Sequence, residues 1–357
     1  MEARPSLLLA LNAGGSSLKA KLYSLGDLTL RLETSARVEG IGRRVARLRI
    51  DDVGVSVGAI SDHARAAEVL LDRLLPGAAA AANRLVAVGH RIVHGGSRFR
   101  EPVVIDDAVT AAIQELTPLA PLHNAPALRA LDDARRALPD VPHVAVFDTA
   151  FHATMPEEAT RYAVPGQWHE WGVRRYGFHG LSVEWAASQV RVPRLVVCHL
   201  GGGCSVTAVL DGRSVETTMG FSPLEGVPMT TRSGSVDPGA LLYLLRERGL
   251  SVDELDQALE HESGLAGLSG TSGDVRELDD DSLALAVYVH RVVAAVAASA
   301  AALGGLDAIT FTGGIGEHSA LVRDRVCERL AFLGGFDVHV VRAREELVIA
   351  RWVRTVL

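Results

Sequence analysis

The chain states one structural plan twice. An apolar run at 6–12 enters the turn Gly14-Gly15-Ser16, and Leu18, Ala20 and Leu22 then alternate with Ser17, Lys19, Lys21 and Tyr23. That two-residue period marks a half-buried strand over 17–24. A turn at 25–27 and a third strand at 28–35 complete a meander. The second copy runs from a strand at 194–200 through Gly201-Gly202-Gly203 to a strand at 204–210, the hairpin signal Asp211-Gly212 and a strand at 213–218. A long Ala/Leu-rich helical pattern follows each meander, at 61–75 and at 282–303. Each helix leads to an apolar strand that runs into paired glycines, 86–89 before Gly95-Gly96 and 308–312 before Gly313-Gly314. This order predicts an α/β chain of two duplicated domains facing each other across a cleft. Their glycine turns lie at strand ends, where such folds bind ligands.

No Pro/Ser-rich linker separates the halves. The expected division is 1–150 with a returning C-terminal segment 346–357, and 151–345. With 357 residues, 48% of them hydrophobic, the chain is long enough for two cores. A net charge of -7 excludes a broad basic field for nucleic acid or anionic lipid. The three cysteines, Cys198, Cys204 and Cys327, have no metal-ligand spacing and are expected as buried thiols in a reducing compartment. The first residues lack the apolar centre of a signal peptide, and the weakly polar stretch Val292–Leu306 is too short to cross a bilayer, so the cytoplasm is the expected location.

The first glycine turn lacks the spacing of a Walker loop and opens no helix, so any phosphate it meets is met by a strand-turn-strand without a helix dipole. Lys19 and Lys21 are the only lysines among 36 basic residues. A compact charge that must reach a particular atom is a reason to keep lysine at position 19, with Lys21 a passenger on the same face.

Seven other stretches are candidates for chemistry. Arg91, between His90 and His94, can grip a carboxylate or phosphate with two parallel hydrogen bonds, or form a salt bridge at a strand end. Asp148 ends the apolar strand 144–147, as a metal-binding or base carboxylate or as the cap of the next turn. His179 stands between glycines, as a ligand contact or a buried structural histidine, and His123 in 119–126 reads as structural. Arg232 lies among hydroxyls in the Gly/Pro-rich connection 219–239, where a cation can neutralise a transferring phosphoryl group. The turns 270–276 and 313–318 follow, the latter expected to open a helix over 317–331 whose dipole favours an anion. With no Ser-His-Asp order and no metal-histidine motif, these residues point to phosphoryl transfer, in which positioning and charge neutralisation dominate.

The order of these motifs resembles the acetate kinase family, within the acetate and sugar kinase/Hsc70/actin superfamily. The resemblance is carried by Asn12 to Lys19, His90 to Gly96, Phe147 to His152, Arg175 to Gly180, Thr231 to Gly234, Phe311 to Glu317 and Glu345 to Ala350. It implies duplicated ribonuclease H-like domains, the actin-like ATPase fold, and direct transfer of the ATP γ-phosphoryl group to acetate and back. Asp148, His179 and Arg232 would be catalytic. Arg91 would bind the carboxylate, with Val93, Leu122, Phe178 and Pro223 around the methyl group. Lys19 would meet phosphate. The nucleotide would lie on His199, Leu200, Gly201, Gly202 and Gly203, on Asp274, Val275 and Arg276, and on Gly314, Ile315, Gly316, Glu317 and His318. Asn12 and Glu345 would hold Mg²⁺ or Mn²⁺. The resemblance also implies a homodimer acting on small molecules, without nucleic acid or membrane. Three positions depart from the family pattern: Gly202 replaces Asn, Val183 replaces His and Ser235 replaces Asp. The alternatives are a propionate or butyrate kinase, differing in pocket depth, and a non-catalytic actin/Hsp70-type nucleotide switch, which would not need the carboxylate site. A dinucleotide oxidoreductase is excluded because Gly-x-Gly-x-x-Gly is absent.

Overall fold

A computed structural model describes residues 5–26, 29–51, 53–75 and 84–357, with the side chains of 55 and 121–123 excepted. The end of the expected turn 25–27 and the first residue of the expected strand 28–35 therefore lie outside the described residues. The chain divides into two compact units, Met1–Ala150 with Arg344–Leu357, and Phe151–Ala343.

In the first unit the strands are β1 (Leu7–Gly14), β2 (Ser17–Leu25), β3 (Leu30–Glu39), β4 (Arg47–Ile50), β5 (Val53–Ser56), β6 (Leu85–Ile92), β7 (Val103–Val104) and β8 (His143–Phe147). They form one sheet in the order β5-β4-β3-β2-β1-β6-β8-β7, in which β1 to β5 make an antiparallel meander and β1, β6 and β8 run parallel. β1 is a continuous apolar run because both its faces are covered. Leu7, Leu9 and Leu11 share a core with Leu70 and Leu74 of the helix His63–Leu74 and Leu128 and Leu131 of the helix Pro121–Ala137. The C-terminal helix Glu345–Thr355 packs on the other face. It approaches β6 so closely that a side chain on Gly89 would collide with Ile349 and Val353. Both of those side chains are fully buried, each contributing roughly 1.5–3 kcal/mol. This docking brings Glu345 into the first unit, where the sequence division at 345/346 had left it in the second.

The second unit repeats the plan. β9 (Arg194–Leu200), β10 (Cys204–Leu210) and β11 (Arg213–Thr217) form the meander, and β12 (Ala308–Thr312) and β13 (Asp337–Val340) extend it in parallel, in the order β11-β10-β9-β12-β13. This is the order of β3-β2-β1-β6-β8. Asp211 and Gly212 turn the second hairpin at φ 47° and 80°, the left-handed pair that a two-residue hairpin loop requires. Val183, on the helix Gly180–Gln189, is fully buried among Ala186, Leu195, Val197 and Val209, an apolar setting that has no use for a histidine.

Two expectations change. The helix before β12 spans Leu283–Ala302, twenty residues, and by length and apolar composition alone could cross a membrane, so the argument from a short apolar stretch fails. It starts before Val292, and Tyr288, Val292 and Val296 are buried in a stripe while the helix packs on β9 and β10. The expected helix 317–331 is instead two helices, Gly313–His318 and Ala320–Arg329. Ser319 ends the first and its hydroxyl caps the second by accepting from Val322 N at 3.3 Å.

Candidate active site

Strand parity assembles the first cluster. Side chains alternate between the faces of a sheet. Leu11, Ile92 and Phe147 point into the core under the helix His63–Leu74, so Asn12, Arg91 and Asp148, one step along the chain from each, belong to the face that carries the C-terminal helix. There Arg91 is ion-paired through Nη2 with Asp148, and its Nη1 donates to Asn12 Oδ1 at 2.9 Å. Arg91 Nε is buried and, among the described residues, has no hydrogen-bond partner. The Asn12 amide donates to Glu345 at 2.7 Å and to Glu346 at 3.0 Å, and Lys21 Nζ pairs with Glu346 at 2.9 Å. Burial disfavours the Arg91 charge, but Asp148, Glu345 and Glu346 outweigh it and hold its pKa above the ordinary arginine value. Burial likewise disfavours ionised Glu346, and the charges of Lys19 and Lys21 more than offset it, leaving its pKa lowered. Lys19 itself is exposed beside the first glycine turn. That turn is held in place by His63 Nε2, which donates to Gly14 O at 2.6 Å, and by the amides of Gly40 and Ile41, each 3.0 Å from Ser16 O. Val93 is buried just beyond β6. Leu122 falls in the first turn of the helix Pro121–Ala137, and its side chain lies outside the described residues.

The second unit holds the other cluster. His179 caps the helix Gly180–Gln189 in the left-handed region, at φ 60°, a costly conformation for a residue with a Cβ. Its Nδ1 lies 3.0 Å from the Ser205 hydroxyl on β10, and its ring lies 4.2 Å from that of His199, whose Nδ1 is 2.7 Å from the Ser182 hydroxyl. A Cβ on Gly203 would lie 3.0 Å from His179 Nε2 and 3.3 Å from Arg232 Nη2. The bare glycine thus leaves room where a ring nitrogen and a guanidinium converge. Arg232 Nη1 donates to Pro223 O at 2.6 Å, and Nε lies 3.7 Å from Glu260. Burial lowers the Arg232 pKa, opposed by Glu260. Phe178 is buried, and its carbonyl accepts from His152 Nε2 at 2.9 Å, so His152 holds the 176–179 turn.

Two of the three predicted nucleotide turns meet. Gly201, after His199 and Leu200 on β9, packs against Gly314 N, where a Cβ would lie 3.3 Å away. The helix Gly313–His318 supplies Ile315 and Gly316, while Glu317 accepts from Gly313 N and Ala343 N at 3.1 and 3.0 Å, and His318 Nδ1 lies 3.0 Å from Gly314 O. Glu317 is thereby engaged in holding its own helix. The stretch Asp274-Val275-Arg276, half-buried up to the exposed Arg276, closes on itself, with Arg276 holding the Asp274 carboxyl down to about 2. Gly202 faces open space.

Over residues 7–351 the chain matches the Acetokinase family. It belongs to that family. An acetate kinase of Nostoc punctiforme is 44% identical over 92% of this chain and 88% of its own length. Among solved structures, a propionate kinase from Francisella tularensis superposes with a TM-score of 0.89 at 34% identity, covering 97% of this chain and 98% of that one. An acetate kinase from Porphyromonas gingivalis gives 0.86 at 35% identity, covering 98% and 99%. The fold is accordingly the duplicated actin-like one of these kinases.

Within this acetokinase chain, sequence reasoning missed Glu346, Ser182, Ser205 and Glu260, and took Lys21 for a passenger. Lys21 is the ion-pair partner of a buried carboxylate. The doubled glutamate of Glu345-Glu346 was the available signal, for two adjacent carboxylates opening a helix need a reason beyond the dipole. The described residues contain no group of three His, Cys, Asp or Glu that could hold a metal by itself. A magnesium ion bound by one or two carboxylates together with phosphates and water needs none, so the hard oxygen of Glu345 fits it, whereas Asn12 here turns its nitrogen to Glu345 and its oxygen to Arg91.

Proposed function

We propose that this protein transfers the γ-phosphoryl group of ATP to acetate, giving acetyl phosphate and ADP, and catalyses the reverse. The supporting observation is Arg91: a largely buried arginine at a strand end, its guanidinium fixed by Asp148 and Asn12, suits a carboxylate, which a nucleotide switch does not require. In the forward direction a carboxylate oxygen of acetate attacks the γ-phosphorus. The new C–O–P linkage forms as the bond from phosphorus to the β,γ-bridging oxygen breaks, and that electron pair leaves on ADP. Acetate is already ionised near neutral pH, so no strong base is needed; the barrier is repulsion between anions.

Arg91 binds the carboxylate, and Asp148 orients Arg91 and the nucleophile. His179 and Arg232 stabilise the transferring group, and Lys19 supplies positive charge to phosphate. The adenine nucleotide lies on the turns at 199–203, 274–276 and 314–318. Asn12 and Glu345 would hold a divalent cation, whose chemistry is to neutralise phosphate charge. Val93, Leu122, Phe178 and Pro223 are assigned to the acyl group. One methylene in such a pocket changes binding by only about 1–3 kcal/mol, so propionate is the natural competitor.

The protein is proposed to act as a cytoplasmic homodimer. The helix Pro238–Glu247, Ala-Leu-Leu-Tyr-Leu-Leu at its centre, buries none of its residues, and Leu242 and Tyr243 are about half exposed, so a second copy is the proposed cover. Light scattering reads that state. The activity is tested by incubating protein, ATP, Mg²⁺, acetate and hydroxylamine and measuring acetyl hydroxamate. Absence of product from acetate, propionate and butyrate, with ATP still bound, would replace the kinase with the switch.

A further inference from the structure

We infer that Lys21 and Glu346 are positioning residues for the acetate site, acting on Arg91 through Asn12; this rests on the kinase reading above. The chain of contacts is continuous within one unit: Lys21 Nζ to Glu346 at 2.9 Å, Glu346 to Asn12 Nδ2 at 3.0 Å, and Asn12 Oδ1 to Arg91 Nη1 at 2.9 Å.

An asparagine carboxamide can face either way. Two carboxylates on its nitrogen, Glu346 and Glu345, leave the oxygen as the only acceptor for Arg91. With Nη1 on Asn12 and Nη2 on Asp148, the guanidinium plane is set, and with it the directions of its remaining N–H donors. Glu346 is 4% exposed, so its charge must be matched locally. Lys21 matches it. Without Lys21 the carboxylate turns to the remaining nearby cations, Lys19 and Arg91, both of which already act on it electrostatically. Arg91 then loses its geometry toward acetate. The side chain of Lys21 is about a quarter exposed, so replacing it with methionine keeps the stem and its packing.

The experiment compares wild type, Lys21→Met, Lys21→Arg and Glu346→Gln in the hydroxamate assay, with acetate and ATP varied separately and a thermal melt of each variant. Lys21→Met is expected to raise the acetate KM about tenfold and lower kcat, with the ATP KM within twofold of wild type, and Lys21→Arg to recover most of the loss. Glu346→Gln is expected to follow Lys21→Met if it folds. If wild type forms no hydroxamate, the kinase reading fails. If wild type is active, the inference is overturned by unchanged kinetics in Lys21→Met, by a change confined to the ATP KM, by equal changes in both KM values, or by Lys21→Arg behaving as Lys21→Met.

Discussion

The guanidinium of Arg232 and the carbonyl oxygen of Pro223 are joined by a 2.6 Å hydrogen bond. The residue proposed to meet the phosphoryl group is thus fastened to a residue proposed to line the acyl pocket. One nitrogen of the fork is spent on Pro223, Nε lies toward Glu260, and Nη2 remains over Gly203 beside His179 Nε2. A lysine has one ammonium and cannot hold Pro223 and a phosphoryl oxygen in that fixed geometry. Arg232→Lys is therefore expected to keep the fold and lower kcat by about 10²–10³, in the range for loss of one transition-state donor. Steady-state kinetics check this; a loss below tenfold would contradict the assignment.

Arg91→Ala is expected to change two quantities at once. The acetate KM rises and kcat falls, because the carboxylate loses its anchor, while the ATP KM is spared. Stability falls too, by about 3 kcal/mol, since the change breaks a buried ion pair and leaves Asp148, 1% exposed, without that guanidinium. Urea unfolding of the variant reads the second effect. Altered ATP binding with normal acetate kinetics would place Arg91 in the wrong role.

What the sequence made legible here is periodicity. The alternation Leu18, Ala20, Leu22 put Lys19 and Lys21 on one face, and the repeated meander gave both sheets their shared strand order. Asp148 reads also as a turn cap, because the partner it meets, Arg91, is 57 residues away and is brought to it only by the pairing of β6 with β8. The partners of Glu346 were hidden for the same reason, although the doubled glutamate marked the place. Its neighbours Asn12 and Lys21 lie more than 300 residues away, and only the docking of the C-terminal helix at Gly89 joins them. The single helix expected over 317–331 failed locally: Ser319 reads as one more polar residue until its hydroxyl is seen capping the next helix.

Gly202 offers a gain-of-function test. The family pattern has Asn there, a Cβ at Gly202 meets no atom within 4 Å, and its backbone is not among the positive-φ glycines. Gly202→Asn should fold as wild type. If the turn holds nucleotide, the added amide should lower the ATP KM about fivefold, the worth of one hydrogen bond near 1 kcal/mol. An unchanged ATP KM would mean that the turn does not contact nucleotide at this position.

Acid should destabilise the protein earlier than its carboxylates alone would require. His152 is fully enclosed between Phe178 O and the Ser214 hydroxyl, and burial pushes its pKa down from 6.5 to about 4. His90 and His143, 2.8 Å apart in the first unit, are lowered by burial as well. Above pH 6.5 these rings are neutral in both folded and unfolded chains, and the contribution is flat. Between 6.5 and 4 the unfolded chain takes up protons that the folded chain refuses, so stability falls as pH falls, by roughly 3 kcal/mol for His152 once its folded pKa is passed. Unfolding free energies measured from pH 8 to 5 should therefore be level down to about 6.5 and then decline. His152→Gln, which removes one titrating ring, should fall less steeply over the same range; equal slopes would show that His152 is already charged in the folded state.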